Sequence, residues 1–144
     1  MKKPKKTKKK IPEKIPARYF RVYDCIFNQR VHVLLNYSKK MYEQWVKRNK
    51  LVLNNKLGLG GDFGGFVVGL DHIGDTDKFE RVLFICSFQW SIKDQATLIH
   101  EITHVIMRIW GENNIPITLD TQEFLAHSIG NMYEDIGKRL LVKI

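Results

Sequence analysis

The chain has two cysteines, four prolines and no long apolar run. Each scarcity excludes something. Crossing a bilayer takes about 18–20 consecutive apolar residues, and no stretch approaches that. The N-terminal lysines are followed by no apolar segment, so they do not form a secretory signal, and the expected compartment is the cytoplasm. Cys25 and Cys86 stand in no CxxC or zinc-knuckle spacing. Each lies inside an apolar stretch, where a buried free thiol is expected. A disulfide between them depends on geometry that a sequence does not carry. The glycines of 54–65 (NNKLGLGGDFGG) lack the GK[ST] ending of a P-loop and the full GxGxxG spacing, so the segment is a loop, or a flap beside a site, and not a phosphate cradle.

Acidic side chains are outnumbered 15 to 24, for a net charge of +9. The imbalance is local. Residues 1–18 hold nine Lys/Arg and one Glu, leaving +1 for the other 126 residues. A nearly neutral body does not present a nucleic-acid-binding surface. A basic tail supplies an electrostatic arm with, at most, weak polyanion contact. Three of the four prolines and eight lysines fall within residues 1–16, too little apolar surface to order a segment. The expected organisation is a disordered tail over 1–16 and one domain over 17–144.

The body is ordinary for a folded protein, and 144 residues suffice for one hydrophobic core. Tyr19–Phe27 and Val31–Asn36 are rich in aromatic and β-branched residues and read as a hairpin around Asn28-Gln29-Arg30. Ser38 caps a helix of about eleven residues with Met41, Trp45 and Val46 on its apolar side. Phe66–Asp71 and Arg81–Phe88 form a second hairpin. Val82–Cys86 is apolar at every position, which fits a strand covered on both faces. Ser91 or Asp94 opens a helix to about Trp110, with Ile99, Ile102, Ile106 and Ile109 as its core stripe and Gly111 as its end. A last helix runs from about Asp120 to Lys138, with Leu125, Ile129, Met132 and Ile136 buried. The order is β-β-α-β-β-α-α, an α+β domain with a small sheet packed on helices.

Residues 100–104 read His-Glu-Ile-Thr-His, an HExxH motif. On a helix, positions i and i+4 lie one above the other, so the two imidazoles can share one Zn²⁺. Glu101 is then close enough to reach a water on that metal. Zinc lowers the pKa of such a water to near neutral, and a neighbouring carboxylate can take its proton during attack on a carbonyl. A catalytic zinc wants three protein ligands and an open position. The last helix offers Glu123 and His127 at i, i+4. Glu123 is also placed to cap that helix, through Asp120-x-x-Glu123, and His127 could replace it as a ligand. His32 and His72 fall in strands or turns, away from any such pattern.

Eighteen residues, 105–122, separate His104 from Glu123. HExxH-x18-E, with Gln122-Glu123-Phe124-Leu125-Ala126 around the last position, resembles the gluzincin metallopeptidases. The short chain is similar to the one-domain minigluzincins and to small phage-type metallopeptidases, which would make the host cytoplasm its compartment. The resemblance covers residues 80–135 and implies a zincin-like fold and hydrolysis of a peptide bond in a peptide or protein substrate. It also implies zinc on His100, His104 and Glu123, with Glu101 as general base. The family implies an extended substrate along a sheet edge, here the 81–88 strand. The GxMEN motif of aminopeptidases is absent, and Gln122 stands where they carry Asn. The oxyanion-stabilising group would be His127 or Tyr133. Two other classes remain: a non-catalytic zinc-stabilised binding protein, and a nucleic-acid-associated accessory protein that uses the lysine tail.

Overall fold

The computed structural model describes residues 14–49, 51–53, 65–72 and 80–141, with side chains described for 14–49 and 81–141. Most of the lysine-rich tail and of the glycine-rich loop lie outside the described residues. The chain runs β1 (Arg18–Tyr23), β2 (Arg30–Leu35), α1 (Lys39–Arg48), β3 (Leu51–Leu53), β4 (Gly65–His72), β5 (Glu80–Ile85), α2 (Ile92–Glu112) and α3 (Gln122–Leu141). It is a small α+β domain. The expected order lacked β3, a strand of three residues.

The two expected hairpins form. β1 pairs antiparallel with β2, and β4 with β5. β2 and β5 then join in parallel, Val33 opposite Leu83, to give one sheet in the order β1-β2-β5-β4-β3. The first strand stops at Tyr23 and does not reach Phe27. The buried carboxylate of Asp24 accepts from the backbone amides of Ile26, Phe27 and Gln29 at 3.0, 2.7 and 2.6 Å, which turns the chain at once. Cys25 lies in that turn and Cys86 one residue past β5; neither is in a disulfide, and both are exposed, not buried as expected.

Alternation along β2 and β5 separates two apolar layers. Val31, Val33, Leu35, Leu83 and Ile85 face α2 and α3, while Leu34, Val82 and Phe84 face Tyr42 and Trp45 of α1. Helices therefore cover both faces, where a sheet over two helices was expected. The apolar run of β5 belongs to a strand buried on both sides. That strand is central, paired with β2 and with β4, so it offers no open edge to a peptide; the edges are β1 and β3. Met41 is exposed, and Tyr42 takes the place on α1 expected of it. His32 is buried, with its ring stacked on Tyr19 and its Nδ1 3.0 Å from the Tyr19 hydroxyl. No helix among the described residues is long and apolar enough to cross a membrane.

The N-terminal strap is held earlier than a tail ending at residue 16 allows. The Ile15 amide donates to Gln89 Oε1 at 2.7 Å, and the Ile15 carbonyl accepts from Gln89 Nε2 and Asn36 Nδ2, each at 3.0 Å. Its side chain packs against the core. Removing residues 1–13 should therefore leave unfolding by urea unchanged within error. Extending the deletion through Pro16 should cost about 1–3 kcal/mol, from lost apolar burial and unpartnered amides on Asn36 and Gln89. Equal stability of the two truncated proteins would show that the clamp contributes nothing.

Candidate metal centre

The helix carrying the motif starts from a tightly fixed turn. Asn36, at φ 60°, donates to the Phe88 carbonyl at 2.9 Å and accepts from the Phe88 amide at 2.6 Å. Trp90, also left-handed at φ 62°, packs between Phe88 and Tyr133. Ser91 then caps α2 in a capping box. Its hydroxyl accepts from the Asp94 amide at 3.1 Å, and the Asp94 carboxylate accepts from the Ser91 amide at 3.1 Å. Gln89 donates its amide to the same carboxylate at 2.8 Å. These contacts hold the Asp94 carboxyl below its usual range, against the opposing effect of burial.

Beyond the cap, α2 divides into two sides. Leu98, Ile102, Val105, Ile106, Ile109 and Trp110 are buried. Ile99, expected in that stripe, is 43% exposed. The stripe instead follows Leu98, which stands 100° away around the helix. Gly111 lies inside the helix, and the end comes at Asn113, with Asn114 at φ 55°.

His100 and His104 both stand on the exposed side. Their rings meet edge to face, and the two Nε2 atoms are 3.0 Å apart. In a hydrogen bond between them one Nε2 carries the proton and the other accepts it; with both protons on Nδ1, the two Nε2 lone pairs would be free for one metal ion. Two nitrogens bound to one tetrahedral zinc at 2.0–2.1 Å stand about 3.3 Å apart. The pair thus fits a shared metal after a movement of a few tenths of an ångström. Glu101 lies beside them but turned inward, 6% exposed. Burial raises its carboxyl above the ordinary range, while positive charge on His100, His104 and Arg108 pulls the other way.

The remaining site residues are not gathered there. Glu123 and His127 occupy the first two turns of α3, both exposed. Among the described residues no three His, Cys, Asp or Glu side chains form a metal-holding group. The entry to α3 runs through Thr121, whose hydroxyl accepts from the Thr118 amide at 2.8 Å and donates to the Pro116 carbonyl at 2.7 Å. The described hydrogen bonds there include no Asp120–Glu123 capping box. Tyr133 donates its hydroxyl to Gln95 at 2.9 Å, near the start of α2 and more than a turn before His100. Sequence reasoning passed over Arg108, which continues the row 100, 104, 108 along the exposed side. Extending the i, i+4 spacing by one turn was the signal that could have found it.

Compared with known proteins, the chain matches no family model, no curated protein and no solved structure.

The buried carboxylate has a stability consequence. A Glu whose folded-state pKa is raised binds its proton more tightly folded than unfolded, so stability falls as pH rises from the unfolded value of 4.5 through the raised one. In metal-free protein, Glu101→Gln should raise the melting temperature at pH 7. The gain should shrink as pH drops toward 4, where both states hold the proton. A variant that melts lower at pH 7, or by the same margin at both pH values, would contradict this.

Proposed function

We propose that the chain is a zinc-dependent metallopeptidase, with His100 and His104 as two metal ligands, Glu123 as the third and Glu101 as general base. The observation that carries the reading is the pair of Nε2 atoms 3.0 Å apart beside a buried carboxylate on the same helix. The HExxH-x18-E spacing supports Glu123 as the third ligand, and its carboxylate has no hydrogen-bond or ion-pair partner among the described residues. His127, one turn further on, is the alternative. Zinc, when bound, supplies the Lewis acidity that brings the pKa of a water to about 7.

The chain's own groups would do the rest. Glu101 takes a proton from the attacking water and returns it to the leaving amine. Both halves of that exchange run best when the carboxyl pKa lies nearer neutrality, which is the direction burial pushes it. The substrate is a peptide or protein. An extended segment would add to the β3 edge, because β3 borders β4 and α2 lies over β4 and β5. The lysine-rich N-terminus adds weak, salt-sensitive contact with polyanions.

Purified protein should hold one zinc per chain, and His100→Ala should lose most of it. Glu101→Gln should keep the zinc, because the amide preserves shape, while peptide hydrolysis falls by about 10²–10⁴. Whichever of Glu123→Ala and His127→Ala weakens zinc binding more names the third ligand. Zinc bound with no cleavage of any peptide would make the chain a zinc-stabilised binding protein instead. Hydrolysis by the Glu101→Gln protein within a few fold of the parent would remove Glu101 as the base.

A further inference from the structure

The folded body is close to neutral only as an average. On the α1 side of the sheet, β1 turns Tyr19, Arg21 and Tyr23 outward, alternate residues that share one face. Phe20 and Val22, between them, belong to the core formed with α2 and α3 on the other face. Tyr19 is held in place: its ring stacks on His32 and tilts against Trp45, yet it remains 40% exposed. Tyr23 is 41% exposed, and Arg21 is exposed between them. Neither the Arg21 guanidinium nor the Tyr23 side chain has a hydrogen-bond, ion-pair or ring partner among the described residues. Acid is scarce around them. The Asp24 carboxylate is buried and taken up by three backbone amides. Glu43 of α1 stands about 200° around its helix from Trp45, so it points away from β1, and it pairs with Lys39. The chain enters β1 at the Tyr19 end, and residues 1–10 upstream hold seven lysines and no acid. An edge strand needs charge to discourage pairing with another strand. It does not need two exposed aromatic rings with a guanidinium between them.

We propose that the outward face of β1 binds single-stranded nucleic acid, with bases stacked on Tyr19 and Tyr23 and a phosphate on Arg21. This face is separate from the histidine pair, because α2 covers the other side of the sheet. The two rings stand about 13 Å apart along the strand, with Arg21 midway. Every base has a π-face, so stacking on tyrosine tolerates any sequence, but it needs bases that are not already stacked in a duplex. The guanidinium takes phosphate oxygens through paired N–H donors. The upstream lysines add attraction to phosphate that carries no preference for single strands. Bases and phosphates are common to DNA and RNA, which are separate arms of the test.

Fluorescence anisotropy with the full chain measures binding to a labelled pyrimidine oligonucleotide of about 12 nucleotides, a length one such platform can span. It is offered as single-stranded DNA, as single-stranded RNA and as a duplex. The tighter of the two single strands identifies the source. Tyr23→Ala should weaken single-strand binding about 10-fold, the size of one lost base stack, and leave duplex binding unchanged. Tyr23→Trp should restore it. Arg21→Gln should lower affinity and flatten the dependence of log affinity on log salt by about 0.7, one phosphate contact on a single strand. Both side chains are exposed and unpartnered, so melting temperature and zinc content should not move in either variant. Replacing the seven lysines of residues 1–10 by glutamine should weaken single strand and duplex alike, while Tyr23→Ala still matters in that background. Single-strand binding that is unchanged by Tyr23→Ala and Arg21→Gln, or that vanishes with the lysines alone, would overturn the proposal. So would equal loss of single strand and duplex in Tyr23→Ala. Binding to vesicles of anionic lipid that Tyr23→Ala weakens, with oligonucleotide binding intact, would give the face to a membrane surface instead.

Discussion

Helix α2 has to be seated on one side so that its other side can present two imidazoles. Leu98, Ile102, Val105 and Ile109 are fully buried against the sheet and α3. Each contributes about 1.5–3 kcal/mol on an area basis. That row fixes the rotation of the helix about its axis. With the core on one side, 3.6 residues per turn put His100 and His104 opposite it and leave Glu101 at the boundary, where its carboxyl is desolvated but lies alongside the pair. Turned by one residue in one direction the helix would bury both histidines, and in the other it would expose the glutamate. The core packing and the presentation of the two histidines are thus set by one contact.

The position of α2 along its axis is fixed separately, at its first turn. Asn36 joins three pieces of chain: the end of β2, the strap at Ile15 and Pro16, and the turn at Phe88. Gln89, one residue on, binds both Ile15 and the Asp94 carboxylate. The sheet, the N-terminal strap and the start of α2 therefore share one hydrogen-bonded junction. Residues near neither histidine hold the helix in register with β5, which ends five residues before Trp90.

Much of this was legible in the residues, for identifiable reasons. The hairpins and the three helices carry strong local signals: β-branched alternation, Ser38 and Ser91 as caps, and apolar spacing at three and four. The side chains that act through distant partners were not legible. Nothing local marks Asp24 as the group that ends β1, because its role depends on amides that come to it only after the turn forms. The cysteines were misjudged for the same reason: their apolar flanks belong to strands that stop just before them. Ile99 and Leu98 are equally apolar neighbours, and only the docking of α2 on the sheet decides between them. The centrality of β5 follows from a parallel pairing with β2, and parallel partners distant in sequence leave no pattern in either strand. In the site, the helix-borne pair was readable because i, i+4 is a property of one helix. Whether Glu123 or His127 joins that pair was left open, since that requires two helices to meet.

That asymmetry has a physical side in α3. Its second half is seated, with Met132, Ile136 and Gly137 buried, whereas Glu123, Phe124, Ala126 and His127 in its first two turns are exposed. The histidines of α2 stand on a helix held along most of its length, and the candidate third ligands stand on the least packed part of its neighbour. A metal that draws in one of those side chains has little packing to disrupt, and its binding free energy would add directly to the association of α2 with α3. Two rigid donors and one adjustable donor would form a site in which the pair sets the metal's position and the third ligand follows it. The choice between Glu123 and His127 would then fall to whichever side chain reaches at least cost in ordering. Both are long enough to compete, and a carboxylate would have the advantage of its charge toward a divalent cation.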